Sequence, residues 1–175
     1  MSPAATPEFS RPRRLDTIGA GESSVRVEAD AAERSALARR FGLIAIDTLV
    51  ADFAIRTDAA GIIARGHLSG AVVQPCSVTG DPVPAKIEED FAIRFVPEGD
   101  ESTDEIELSE GDCDTVFYTG GAIDLGEAAA ETLALALDPF PRSAGAAAAL
   151  REAGVLSEEE AGPFAALAKL KQPKP

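Results

Sequence analysis

Alternating apolar and polar positions predict a run of strands through the first part of the chain. The pattern begins at 23–28, where Val25 and Val27 alternate with polar residues, and it continues over 43–56, 62–74 and 86–96. A period of two is typical of strands that bury one face and leave the other in water. Counting a short apolar segment at 116–118, we predict an antiparallel sheet meander of about four or five strands.

The apolar face of these strands supplies most of the predicted core. His67 falls on the opposite, outward register. The core residues that we predict are Val25, Val27, Leu49, Phe53, Ile55, Ile87, Phe91, Ile93 and Phe95 from strands, and Leu133 and Leu137 from a helix.

Capping residues mark the helices. Asp30 followed by Glu33 has the spacing of a capping box and predicts a helix over 31–40. Asp124 precedes a second helix that continues to Leu137 and ends before Pro139. Apolar residues lie on nearly every side of this helix, which favours packing against the sheet or at an interface. A third helix is predicted over 144–153. The fold class is therefore α+β, with helices packed on one side of the sheet and a helical C-terminal tail.

Breaks in composition suggest the domain organisation. We predict a flexible N-terminal arm at 1–14, a single α+β domain at 15–153 and a C-terminal tail at 154–175. Within the domain, residues 97–114 contain nine Asp or Glu and no Lys or Arg. Because like charges repel and apolar residues are scarce there, this segment is predicted to be an acidic, mobile loop.

The net charge of the chain limits the classes of partner that it can bind. The formal net charge is −14, which repels phosphate backbones over most of the surface. Any nucleic-acid contact would therefore need a local basic patch. For each basic cluster taken singly, the favoured interpretation is that it only offsets acidic neighbours. The candidate nucleic-acid or partner-binding residues are Arg11, Arg13, Arg14, Arg34, Arg39, Arg40, Phe164, Lys169 and Lys171.

Candidate catalytic and metal-binding residues are few. Cys76 lies in a loop where a zinc knuckle would carry a second cysteine three residues later, but that position is Thr79. His67 could form a dyad with Cys76 or Ser77, yet no oxyanion-hole motif accompanies them. We predict no metal, no cofactor and no enzymatic activity. The absence of a secretory pattern and of a span-length apolar segment predicts a cytoplasmic protein.

Several segments, in order, resemble the DUF177/YceD family. Gly66 to Gln74 runs into a cysteine-bearing loop at 76–83, and a strand at 87–96 follows. After an acidic insertion comes the pattern Leu-Ala-Leu-Asp-Pro-Phe-Pro at 135–141, and a Pro-Phe-Ala segment begins at Pro163. The sequence of these segments is similar to that of alphaproteobacterial members. Many members carry Cys-x-x-Cys in the loop, where this chain has Thr79.

The resemblance implies a part in 23S ribosomal RNA accumulation during large-subunit assembly. The partner would be a ribosomal precursor or an assembly factor, contacted directly or through a protein, with no membrane and no small-molecule substrate. We favour the protein-mediated route because the net charge opposes RNA. The alternatives are a protein-binding adaptor outside ribosome assembly, which could use its apolar helix or Phe164 in a partner's groove, and a Cys-dependent hydrolase.

Overall fold

A computed structural model describes residues 7–59, 61–98 and 114–155. The chain divides into two compact units. The first comprises the described parts of Met1–Gln74 and Pro84–Asp138. The second comprises Pro75–Val83 and the chain from Pro139 onward. This division differs from the predicted single domain at 15–153, because the cysteine loop has its contacts with the chain that follows the second helix.

A five-stranded sheet forms the frame of the first unit. Its strands are β2 (Ser23–Glu28), β3 (Ala45–Asp58), β4 (Gly61–Pro75), β5 (Pro82–Pro97) and β6 (Asp114–Tyr118), and they lie side by side in that order. β3 runs antiparallel to both β2 and β4, whereas β6 runs parallel to β5. The predicted α+β class is confirmed. The prediction was an antiparallel meander, and it did not include the parallel pairing of the edge strand β6 with β5.

Two helices cover one face of this sheet. α1 (Ala31–Phe41) begins at a capping box in which Asp30 accepts from Glu33 N–H and the Glu33 carboxylate accepts from Asp30 N–H. It ends at Gly42, which has a positive φ of 67°. α2 (Leu125–Ala136) begins at Asp124, whose carboxylate accepts from two backbone N–H groups of the first turn. Both predicted N-caps are confirmed.

The core lies between the sheet and these helices. The predicted core residues Val27, Leu49, Phe53, Ile55, Ile87, Ile93, Phe95 and Leu133 are buried, whereas Val25, Phe91 and Leu137 are partly buried and pack against them. The rings of Phe53 and Phe91 lie 4.9 Å apart between centroids. The period-two pattern thus predicted the buried face correctly, because each strand has one wet face.

The N-terminal segment departs from the predicted flexible arm at 1–14. Phe9 is 0% exposed and belongs to the core. β1 (Pro12–Arg14) pairs with β7 (Ala122–Asp124) in a separate two-stranded sheet. The Asp124 carboxylate also accepts from the Ser10 hydroxyl and the Arg11 N–H. The prediction was wrong over residues 9–14, because one buried aromatic residue and one carboxylate hold a segment whose composition is that of a loop.

The second unit contains the cysteine loop and α3 (Ala146–Glu152), where a helix over 144–153 was predicted. Ser77 donates through its backbone N–H to the Pro141 carbonyl, which joins the loop to the chain after α2. Most of the predicted acidic loop at 97–114 and most of the tail at 154–175 lie outside the described residues.

Candidate functional site

The two terminal nitrogens of the Arg11 guanidinium are held by several acceptors. It forms a two-pronged ion pair with Glu33 of α1, at 2.7 and 2.9 Å, and donates to the Glu28 carbonyl. Its guanidinium also lies 4.7 Å from the centroid of the Phe9 ring. The hydrogen bond from Arg11 lowers the pKa of Glu33, against a smaller opposing effect of burial. Arg11 therefore ties the N-terminal segment to α1.

Arg40 joins α1 to α2. Its guanidinium donates to both carboxylate oxygens of Glu127, at 3.0 and 2.6 Å, and to Glu8 at 3.1 Å. The bond to Glu127 is the main cause of the raised pKa of Arg40. Because two carboxylates neutralise this guanidinium, little positive field remains for a phosphate at this position.

The other predicted arginines are engaged more locally. Arg14 pairs with Asp16 on the surface, at 2.6 Å. Arg34 donates to the Ala29 carbonyl, and Arg39 donates to the Ser35 hydroxyl. Arg13 lies on β1, and its buried Nε has no hydrogen-bond partner within the described residues. The remaining candidates, Phe164, Lys169 and Lys171, lie outside the described residues.

Two carboxylates thus decide what Arg11 and Arg40 do. Glu33 was predicted only as part of a capping box, and Glu127 was not among the candidate residues. In the structure they are the ion-pair partners of Arg11 and Arg40. A signal was present in the excess of Asp and Glu, but their pairing depends on the fold. Contact of the arginine clusters with nucleic acid remains a prediction.

His67 lies on the outward face of β4, as its register predicted. Its Nδ1 is 2.7 Å from Asp90 and its Nε2 is 2.8 Å from Glu88, both on β5. The hydrogen bond to Asp90, and then the hydrogen bond to Glu88, raise the pKa of His67. A neutral imidazole has one N–H donor, so two carboxylate acceptors favour the doubly protonated ring. A ring held in this way is a poor general base for the predicted Cys-dependent alternative.

Cys76 is buried in the second unit and is a free thiol. Its Sγ accepts from the backbone N–H of Ser143 at 3.3 Å and of Thr79 at 3.5 Å. The Thr79 hydroxyl in turn donates to Asp81. Hydrogen bonds from Ser143, and then from Thr79, lower the pKa of the Cys76 thiol to about 6, although burial acts in the opposite direction.

We expect the folded protein to show a thiolate that titrates near pH 6. The negative sulfur is stabilised by these donors only while the loop is folded, so unfolding in guanidinium should return the titration to about pH 8.5. Ultraviolet absorbance of the thiolate against pH measures this, and Cys76→Ser separates the step from that of Cys113. A single step near pH 8.5 in the folded protein would show that the donors do not act on the sulfur.

No group of three or more His, Cys, Asp or Glu side chains that could hold a metal ion occurs within residues 7–59, 61–98 and 114–155. Across the same part of the chain, no helix combines the length and apolar character needed to cross a membrane. In the second unit, the backbone N–H groups of Thr79 and Ser143 donate to the sulfur of Cys76, and an N–H donor has no free electron pair for a metal ion.

The fold and these groups define an acidic α+β protein with a five-stranded sheet, arginines paired to carboxylates and a buried cysteine in a tight loop. A family model described as "Large ribosomal RNA subunit accumulation protein YceD" matches residues 64–171. Because this match covers more than half of the chain, the chain belongs to the YceD family, which confirms the resemblance. No curated protein and no solved structure matches it.

Proposed function

We propose that this protein is a non-enzymatic cytoplasmic factor that supports accumulation of 23S ribosomal RNA and biogenesis of the large ribosomal subunit. The observation that carries the proposal is the family match over residues 64–171. The matched range begins in β4 and includes α2 and the described part of the second unit. The family match therefore concerns the folded body of the protein and does not include the N-terminal segment.

The charge distribution supports a route through a protein partner. The net charge is −14, and Arg11, Arg14 and Arg40 are each paired with carboxylates. Binding to RNA draws its affinity from neutralised phosphates, which requires cations that are available to the nucleic acid. A basic protein, by contrast, is attracted to the same acidic surface.

The polar chemistry of the described residues supports a non-enzymatic role. Both nitrogens of His67 bond to carboxylates, and the sulfur of the buried Cys76 accepts from the backbone N–H groups of Ser143 and Thr79. A nucleophile and its base need to meet within hydrogen-bond reach at a point accessible to substrate. These two side chains instead make structural bonds within their own units.

Depletion of the protein should reduce large ribosomal subunits relative to small ones. The physical reason is that incompletely assembled 23S RNA is degraded when an assembly factor is missing, whereas small-subunit assembly proceeds. Sucrose-gradient profiles of depleted cells and of cells in which the gene is restored measure the ratio. An unchanged subunit profile after complete depletion would contradict the proposed function.

A further inference from the structure

A groove lies between the edge strand β6 and the helix α2 in the first unit. It encloses about 270 Å³, and its walls include Phe95, Val116 and Tyr118 from the sheet and Glu127, Ala128 and Glu131 from α2. The three helix residues are spaced so that they share one helical face. The register of β6 on β5 places Val116 beside Phe95. We call this feature the β6–α2 groove.

The groove combines an apolar interior with an acidic rim. Glu127 is already paired with Arg40, whereas the structure describes no ion pair for Glu131. Partial burial, and then the neighbouring charge of Glu127, raise the pKa of Glu131, against a smaller opposing effect of Arg40. A cation placed beside Glu131 would relieve this electrostatic cost.

The edge of the sheet beside the groove is exposed. In the described part of the chain β6 is the last strand of the sheet, and the Phe117 side chain is 65% exposed. Exposed aromatic residues beside an apolar depression are typical of sites where another chain binds. The volume is slightly below the range of about 300–1,000 Å³ for small-molecule pockets, so it suits one or two side chains of a peptide.

We propose that the β6–α2 groove binds a segment of a basic protein, with an apolar side chain inside the groove and an adjacent Lys or Arg at Glu131. This inference deepens the protein-mediated route of the proposed function and rests on it. Charge complementarity selects the partner, because the same acidic rim repels nucleic acid. An acidic or neutral partner would leave Glu131 uncompensated.

The test is site-specific photo-crosslinking of the full chain in growing cells. A photoreactive residue replaces Thr119, which is exposed on the rim of the groove, and a control replaces Ser24, which is exposed on β2 at the opposite edge of the sheet. Mass spectrometry of the Thr119 crosslinks should identify protein segments in which Lys or Arg lies next to an apolar residue. The Ser24 position should not capture those segments.

Charge variants then test whether Glu131 is the group that binds the basic residue of the partner. Glu131→Lys should lower the yield of these crosslinks at least about tenfold, because it places like charges together in a partly desolvated contact. Glu131→Gln should lower it less. The matched control Glu22→Lys makes the same change at an exposed carboxylate elsewhere and should leave the yield unchanged. Thermal melts of the Glu131 variants beside the wild type separate loss of the fold from loss of the partner.

Three results would overturn the inference. They are Thr119 crosslinks to RNA alone, crosslinks to the chain's own segment at 163–171, and a pattern identical to that of Ser24. The ribosomal readout separates this inference from the proposed function. If depletion lowers large subunits while Thr119 captures nothing specific, only the groove assignment fails. If Thr119 captures basic segments while the subunit profile is unchanged, the proposed function fails and the groove still binds a basic protein.

Discussion

Replacing Leu133 with alanine is expected to lower the free energy of unfolding by about 2–5 kcal/mol. Leu133 is 0% exposed and lies on the face of α2 that packs on the sheet. Its Cδ1 is 3.5 Å from the point where a Cβ on Gly70 would lie, which places the side chain directly over β4. Truncation leaves a cavity between the helix and a rigid strand. Urea unfolding followed by circular dichroism measures the change.

Leu135 on the same helix provides the matched control. Its side chain is 81% exposed, so Leu135→Ala should change the free energy of unfolding by less than about 0.5 kcal/mol. The two substitutions remove the same atoms from positions two residues apart. If both variants lost the same stability, α2 would not present the face to the sheet that the structure gives it.

Replacing Gly66 with alanine is expected to lower the free energy of unfolding. Overpacking typically costs about 1–3 kcal/mol, and we expect a value near the upper end of that range. A Cβ at Gly66 would lie 2.0 Å from the Asp52 carbonyl oxygen and 2.7 Å from Cζ of Phe91. The first neighbour is backbone of the adjacent strand, so the pairing of β3 with β4 would have to shift. Thermal and urea unfolding of the purified variant measure the loss.

Gly70 on the same strand and the same face is the control. A Cβ at Gly70 would make ordinary contacts at 3.5 Å with Leu133 and the Thr48 carbonyl oxygen. Gly70→Ala should therefore change stability by less than about 1 kcal/mol, since contact and a reduced entropy of the unfolded chain act together. Equal losses at both positions would contradict the close approach of β3 and Phe91 to Gly66.

Local patterns predicted the strands and helices because each of them is determined by residues close together in sequence. The alternation around Phe53 and Ile93 identifies the buried face, and Asp30 and Asp124 identify two helix starts. The burial of Phe9 was not predicted, because a single aromatic residue among Pro and Arg forms no periodic hydrophobic pattern. The parallel direction of β6 depends on the long connection from β5, which no local pattern specifies.

The pairing of the arginine clusters with carboxylates could not be predicted for a similar reason. Arg11 and Glu33 are separated by 22 positions, and Arg40 and Glu127 by 87. The sequence shows that carboxylates outnumber cations, but only the fold shows that Arg11 meets Glu33 of α1 and that Arg40 of α1 meets Glu127 of α2. The β6–α2 groove likewise combines residues from a sheet edge and a helix that composition alone does not bring together.

Support of 23S ribosomal RNA accumulation is tested most directly by the ratio of mature 23S to 16S RNA. The ratio is measured in a deletion strain that carries either an empty vector or the wild-type gene, under growth conditions in which both strains divide. We predict that the ratio falls in the deletion strain and that the wild-type gene restores it. A ratio that is the same with and without the gene would contradict the proposed function.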